Sequence, residues 1–126
     1  MRGILMTNNP MALQQWPDRA TAVFLEQADV LGVLTAVRDK VHQGHRCLTH
    51  PLSGSVKPGR TPYKSVLMTV EAGALDMESL RIIEDSIVVA RAQIAQGPPP
   101  KAVHPEDFQL IDVNLLFGGA THEPCI

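Results

Sequence analysis

DVLGVLTAVRDKVHQG, residues 29–44, is the stretch on which the fold turns. Val30, Val33, Leu34, Val37 and Val41 recur at helical spacing, so one face is apolar and the other carries charge. Gly44 stands where a glycine commonly ends a helix, and Arg38, Lys40 and His42 suit the negative end of the helix dipole. The spacing predicts a helix over 29–43.

Strand-like runs flank it. Toward the N-terminus, Thr21–Leu25 is rich in β-favouring residues, and Gly3–Met6 reads as a buried strand running into the turn Thr7-Asn8-Asn9-Pro10. Met11–Trp16 between them reads as a helical turn stopped by Pro17-Asp18. Toward the C-terminus, Arg46–Thr49 reads as a short strand and Ser65–Val70 as a longer one. Asp76 is an N-cap for a long helix with Met77, Leu80, Ile83, Ile87 and Ile94 on one face, ended by Gly97 and three prolines. Phe108–Val113 reads as a last strand, with a following helix from near Asn114. Strands alternating with amphipathic helices predict an α/β fold. The expectation is a single small domain over residues 1–126, with a partly parallel sheet of four to five strands and two main helices. A Pro/Gly-rich basic loop, 50–64, is set into it, and no internal repeat is present.

Composition fits a globular chain: of 126 residues, 44% are apolar and 19% charged, enough for one core. The net charge of −2 argues against nucleic-acid binding over the whole surface. Its distribution is uneven. Of the 11 Lys and Arg residues, six (Arg38, Lys40, Arg46, Lys57, Arg60 and Lys64) fall between 38 and 64, against one of the 13 acids, Asp39. Only one tyrosine lies near them, with no aromatic platform interleaved, which again disfavours nucleic acid. Cys47 and Cys125 form no disulfide framework. The start MRGILMTNNP has too short an apolar run for a signal peptide, and no run elsewhere is long enough to span a membrane. A cytoplasmic protein is expected.

The loop HPLSGSVKPGRTPYKS, residues 50–65, holds the densest chemistry. Gly54 to Thr61 nearly spells G-x-x-x-x-G-K-[ST]. That motif needs a lysine and an immediate helix, whereas Arg60 replaces the lysine, Pro62 follows Thr61 and a strand comes next. His45, Cys47 and His50 form H-x-C-x-x-H without the paired spacing of a zinc site, so no metal or other cofactor is expected. Cys47 beside His45 or His50 is an alternative nucleophile pair. Glu84-Asp85, Glu106-Asp107 and Asp112 have no spacing that specifies acid–base chemistry; a solvated face and a helix-side ion pair are expected. The anion reading is the sharper one. Gly54 and Gly59 free the backbone, while Ser53, Ser55, Thr61 and Ser65 offer hydroxyls. Lys57, Arg60 and Lys64 supply charge, and His50 and Tyr63 border the loop. Pro51, Pro58 and Pro62 stiffen it. If Thr7, Asn8 and Asn9 end a strand beside it, both lie at the sheet edge where α/β proteins place ligands.

These residues resemble the GrdX family, small bacterial proteins encoded with glycine reductase and related amino-acid reductases. The likeness runs through Thr7-Asn8-Asn9-Pro10, Val37-Arg38-Asp39 with Gly44-His45, and above all Leu48–Leu52, Gly54-Ser55, Lys57-Pro58 and Thr61–Ser65. Ser79-Leu80, Ile83-Glu84 and Asp107–Asp112 extend it over most of the chain. Gly59-Arg60 departs from the Asn-Glu common in the family and adds a positive charge. The resemblance implies a cytoplasmic role beside reductive fermentation of glycine, betaine or sarcosine, and it carries no catalytic residue over.

Two functions compete. One is an accessory or ligand-binding protein partnered with reductase-system proteins or a small anionic ligand; an apolar patch near Ile111–Phe117 would suit a protein partner. The other is a small enzyme on a phosphorylated or carboxylated metabolite. There Lys57, Arg60 and Lys64 would clamp the anion, and His50, Tyr63 or Cys47 would serve as acid, base or nucleophile.

Overall fold

A computed structural model describes residues 2–52, 61–96 and 105–121. Three strands form a mixed sheet: β1 (Ile4–Thr7), β2 (Ala22–Phe24) and β3 (Ser65–Met68). Their order is β2-β1-β3; β2 runs parallel to the central β1, and β3 antiparallel. Four helices accompany them: α1 (Pro10–Gln15), α2 (Val30–His42), α3 (Met77–Ala95) and α4 (Pro105–Thr121). The partly parallel α/β expectation is met, with fewer strands than the predicted four to five.

Strand alternation sorts the core into two layers. Met6, Val66 and Met68 point to one face, where they pack with Val33, Leu34 and Val37 of α2 and Ile83, Ile87 and Ala90 of α3. Leu5 and Leu67 point to the other, against Ala12 of α1, Trp16, and Val113 and Leu116 of α4. Successive helices therefore leave the parallel pair toward opposite faces: α1 after β1, α2 after β2.

The ends of α2 follow from its sequence. Asp29 caps it by accepting from Gly32 N at 2.8 Å. At the other end Gly44 N donates to Val41 O (2.9 Å) and His45 N to Lys40 O (3.1 Å), the paired closure of a Schellman motif. Gly44 takes φ +105°, and a Cβ there would collide with the Gly73 carbonyl oxygen, so glycine is required for both conformation and space. Asp76 caps α3 by accepting from Ser79 N (3.0 Å), and hydrogen bonding from the Ser79 hydroxyl and then from its backbone N–H holds the Asp76 carboxyl below the usual range. Met77 departs from the expected apolar face and is exposed; Ile83 and Ile87 are buried.

Two expected strands are absent among the described residues, each for a local reason. Around Arg46–Thr49 the pairing shrinks to one bridge, Cys47 with Met68. Leu48 N and Thr49 N both donate to Leu67 O, and the Thr49 hydroxyl accepts from Leu67 N (3.0 Å) in place of a backbone carbonyl. A side chain has interrupted the ladder. Phe108–Val113 is not a strand but the middle of α4. Its short apolar-rich run resembles a strand, yet the face it buries is Asp112, Val113 and Leu116, leaving Leu110 and Ile111 outside. The predicted solvated role of Asp112 is corrected with it: the residue is buried. Pro105 with Glu106 and Asp107 in the first turn was the available signal, since proline and acids favour a helix start.

Candidate functional site

At the carboxyl end of β1, Thr7 faces Ser65 of β3 as its register partner, and both point toward α4. Ser65 Oγ donates to Asp112 Oδ2 at 2.6 Å and Ser65 N to Oδ1 at 3.1 Å. With that single hydroxyl proton committed to the carboxylate, the 2.7 Å contact between Thr7 Oγ1 and Ser65 Oγ has Thr7 as donor. Thr7 Oγ1 in turn accepts from Asn9 N (2.9 Å). Asn9 Nδ2 donates to Asp112 Oδ2 (2.9 Å) and Gln109 O (3.0 Å), while its Oδ1 caps α1 through Met11 N (3.0 Å). The carboxylate thus ties the central strand, its neighbour and two helices together.

Asn8 performs a second closure. Its Nδ2 donates to Ala28 O and Pro62 O, both at 2.8 Å, and its Oδ1 accepts from Lys64 N at 2.9 Å. It bridges the end of β1, the approach to α2 and the approach to β3. Both amide hydrogens of Asn8 and of Asn9 are therefore engaged within the protein.

Beside this network lies a narrow cleft lined by Thr61, Tyr63, Lys64, Phe108, Ile111, Asp112 and Leu115. Its volume is about 10 Å³, room for one water. Gln109 Nε2 donates to the Tyr63 hydroxyl at 2.9 Å. Lys64 is only 7% exposed. Burial pushes its ammonium pKa down, and the nearby Asp112 charge partly restores it.

Of the sequence-predicted candidates, Thr7, Asn8, Asn9, Thr61, Tyr63 and Lys64 come together here. His50 does not. Its Nδ1 accepts from Leu52 N (3.0 Å), and it borders a separate cavity of about 280 Å³ with Leu52 and with Arg81, Ile82 and Asp85 of α3. Ser53, Gly54, Ser55 and Lys57, and with them most of the rejected P-loop near match, lie outside the described residues, as does Cys125. Asp112 and Gln109 are the residues that sequence reading left out.

The described residues of the basic segment are dispersed. Arg38 pairs with Glu84 across α2 and α3 at 3.5 Å, while Lys64 is internal. His45 Nδ1 donates to Thr69 O (2.8 Å), and Cys47 N donates to Ser79 Oγ (3.1 Å). Burial, and then the Asp76 charge, push the Cys47 thiol up to about 11, so it is protonated at neutral pH. Among the described residues no group of three or more His, Cys, Asp or Glu is placed to hold a metal. Nor is any described helix long and apolar enough to cross a membrane.

A family model described as GrdX-like protein matches residues 4–119. The chain belongs to the GrdX-like family. The matched span of this GrdX-like protein runs from β1 into α4, so it takes in both Asn8 and Asp112. Neither the curated proteins nor the solved structures yielded a match.

Proposed function

We propose that this GrdX-like protein is a cytoplasmic accessory protein of the glycine, betaine or sarcosine reductase system, binding a protein component of that system and catalysing no step itself. The observation that carries this is the outer side of α4. Leu110 and Ile111 are 49% and 41% exposed on a helix whose inner side is fixed to the sheet through Asp112 and Asn9. Apolar side chains held outward on a rigid element suit a partner surface. Family membership supplies the context for that partner. The test is capture of the reductase components by the tagged protein in a host expressing them under reducing conditions. Capture that is lost in a Leu110→Ser/Ile111→Ser variant supports the reading; recovery of none of the components overturns it.

A second reading, an enzyme acting on a phosphorylated or carboxylated metabolite, is favoured by the convergence of Thr61, Tyr63 and Lys64 on one cleft. Its acid–base work would fall to Tyr63, because Cys47 holds its proton and His50 lines a different cavity. Millimolar acetyl phosphate should then raise the melting temperature and be consumed. An unchanged melting curve and intact acetyl phosphate would remove this reading.

A further inference from the structure

Six large apolar side chains are exposed among the described residues, and four of them sit in pairs on two helices: Leu110 and Ile111 on α4, Val88 and Val89 on α3. The two faces differ in charge. On α4 every charged residue is an acid (Glu106, Asp107 and Asp112), so this face repels its own copy. The outer face of α3 carries both signs. Glu84 and Arg91 are seven residues apart, so they share one flank of the helix and straddle Val88, which is 65% exposed. Glu84 Oε1 meets Arg38 at 3.5 Å, yet the Glu84 side chain is 46% exposed, with its second oxygen free to accept. Arg91 is exposed and makes no ion pair with any described residue. Ala92 and Ala95, exposed on the same side, leave room for a close approach.

We propose that α3 packs antiparallel against α3 of a second copy of this chain, about a two-fold axis beside Val88. In an antiparallel pair each flank of one helix meets the same flank of the other, running the opposite way. Arg91 then falls opposite Glu84 of the second copy, and by symmetry Glu84 falls opposite that copy's Arg91. The same register lays Val88 against Val88 and the Arg81 stem over Ala95 of the second copy. Asp85 comes opposite the small Ala92 and keeps its carboxylate at the solvent edge. Three neighbouring rows of the helix are thus self-complementary about one axis, as an isologous contact requires. Contact between α3 of one copy and the acidic α4 of the next would instead repeat without closing. Because α3 and α4 cover opposite sides of the sheet, the dimer leaves both α4 faces outward, two partner surfaces on one particle.

The contact does not use α4, so it and the proposed function stand or fall separately. The experiment is sedimentation equilibrium of the full chain from micromolar to millimolar concentration, with circular dichroism to establish folding. A reversible species of twice the chain mass is expected. Val88→Glu sets two carboxylates face to face on the axis and should weaken association at least about tenfold. Glu84→Arg and Arg91→Glu should each do the same, about tenfold or more, since like charges then face one another twice. Mixed in equal amounts, these two variants should associate with each other, because every facing pair is again opposite in sign. Should Glu84→Arg fail to fold, Glu84→Gln takes its place, with one of the two pairs restored in the mixture. A single-chain mass throughout the range overturns the proposal. So does a dimer indifferent to Val88→Glu, a mixture of folded variants that stays monomeric, or species that grow past the dimer. A dimer lost in Leu110→Ser/Ile111→Ser would put the contact on α4 and overturn it as well.

Discussion

On one side of the sheet, α2 and α3 close over Met6, Val66 and Met68 with an aliphatic cluster. On the other, α1 and α4 cover Leu5 and Leu67 with a smaller apolar cluster and then bury a carboxylate with three hydrogen bonds. The first layer tolerates small shifts, because dispersion and burial depend weakly on direction. The second is directional: each bond to Asp112 fixes an angle as well as a distance. One side supplies bulk stability, and the other sets where α4 sits.

That contrast is open to direct attack. Ile83→Ala, in the centre of the aliphatic layer, should cost about 4 kcal/mol of unfolding free energy by chemical denaturation, the range for a large core truncation. Asp112→Ala removes the acceptor of three buried donors and should cost about 3 kcal/mol. Asp112→Asn, which keeps an acceptor oxygen, should recover part of that loss. If Asp112→Ala were neutral, α4 would be held without the carboxylate's bonds and the contrast would collapse.

Cys47 sharpens the same contrast through pH, since it packs against the aliphatic layer. Its thiol is protonated in both folded and unfolded chains below pH 9.0. Between there and about 11 only the unfolded chain loses the proton, so stability should fall as pH rises through this window. A total of about 3 kcal/mol is expected, absent in Cys47→Ala. In a Cys125→Ser background the remaining thiol should react slowly with a disulfide reagent at neutral pH and quickly only near pH 11. The smallest effect is expected at the surface. Arg38→Ala breaks a partly exposed pair with Glu84 and should cost about 0.5 kcal/mol, shrinking further in high salt.

The two layers were also unequally legible. Val30, Val33, Leu34, Val37 and Val41 announce α2 because the face they bury is wholly apolar, and Asp29 and Gly44 mark its ends. In α4 the buried face includes Asp112, while Leu110 and Ile111 lie outside, so apolar periodicity points away from the true period. A carboxylate that is buried because Ser65 and Asn9 meet it cannot be recognised from its own neighbours, since its partners lie 47 and 103 residues away. The Thr7-Asn8-Asn9 turn was visible as a place of interest. Its side chains prove to be engaged in closing the fold, and the cleft beside them is lined by Thr61, Tyr63 and Lys64 instead.

The position of Asp112 in chain order has a consequence for how the protein assembles. Residues as far as α3 contain everything needed to close the aliphatic layer, and they can do so before α4 docks. Leu5 and Leu67 stay open to water on the opposite side, with Thr7 and Ser65 lacking their acceptor, until α4 has docked. A truncated chain of residues 1–96, released and free in solution, should therefore show α2 and α3 protected together in hydrogen exchange and a sticky, chaperone-binding opposite surface. In the full chain the last helix then covers that surface in a single docking step.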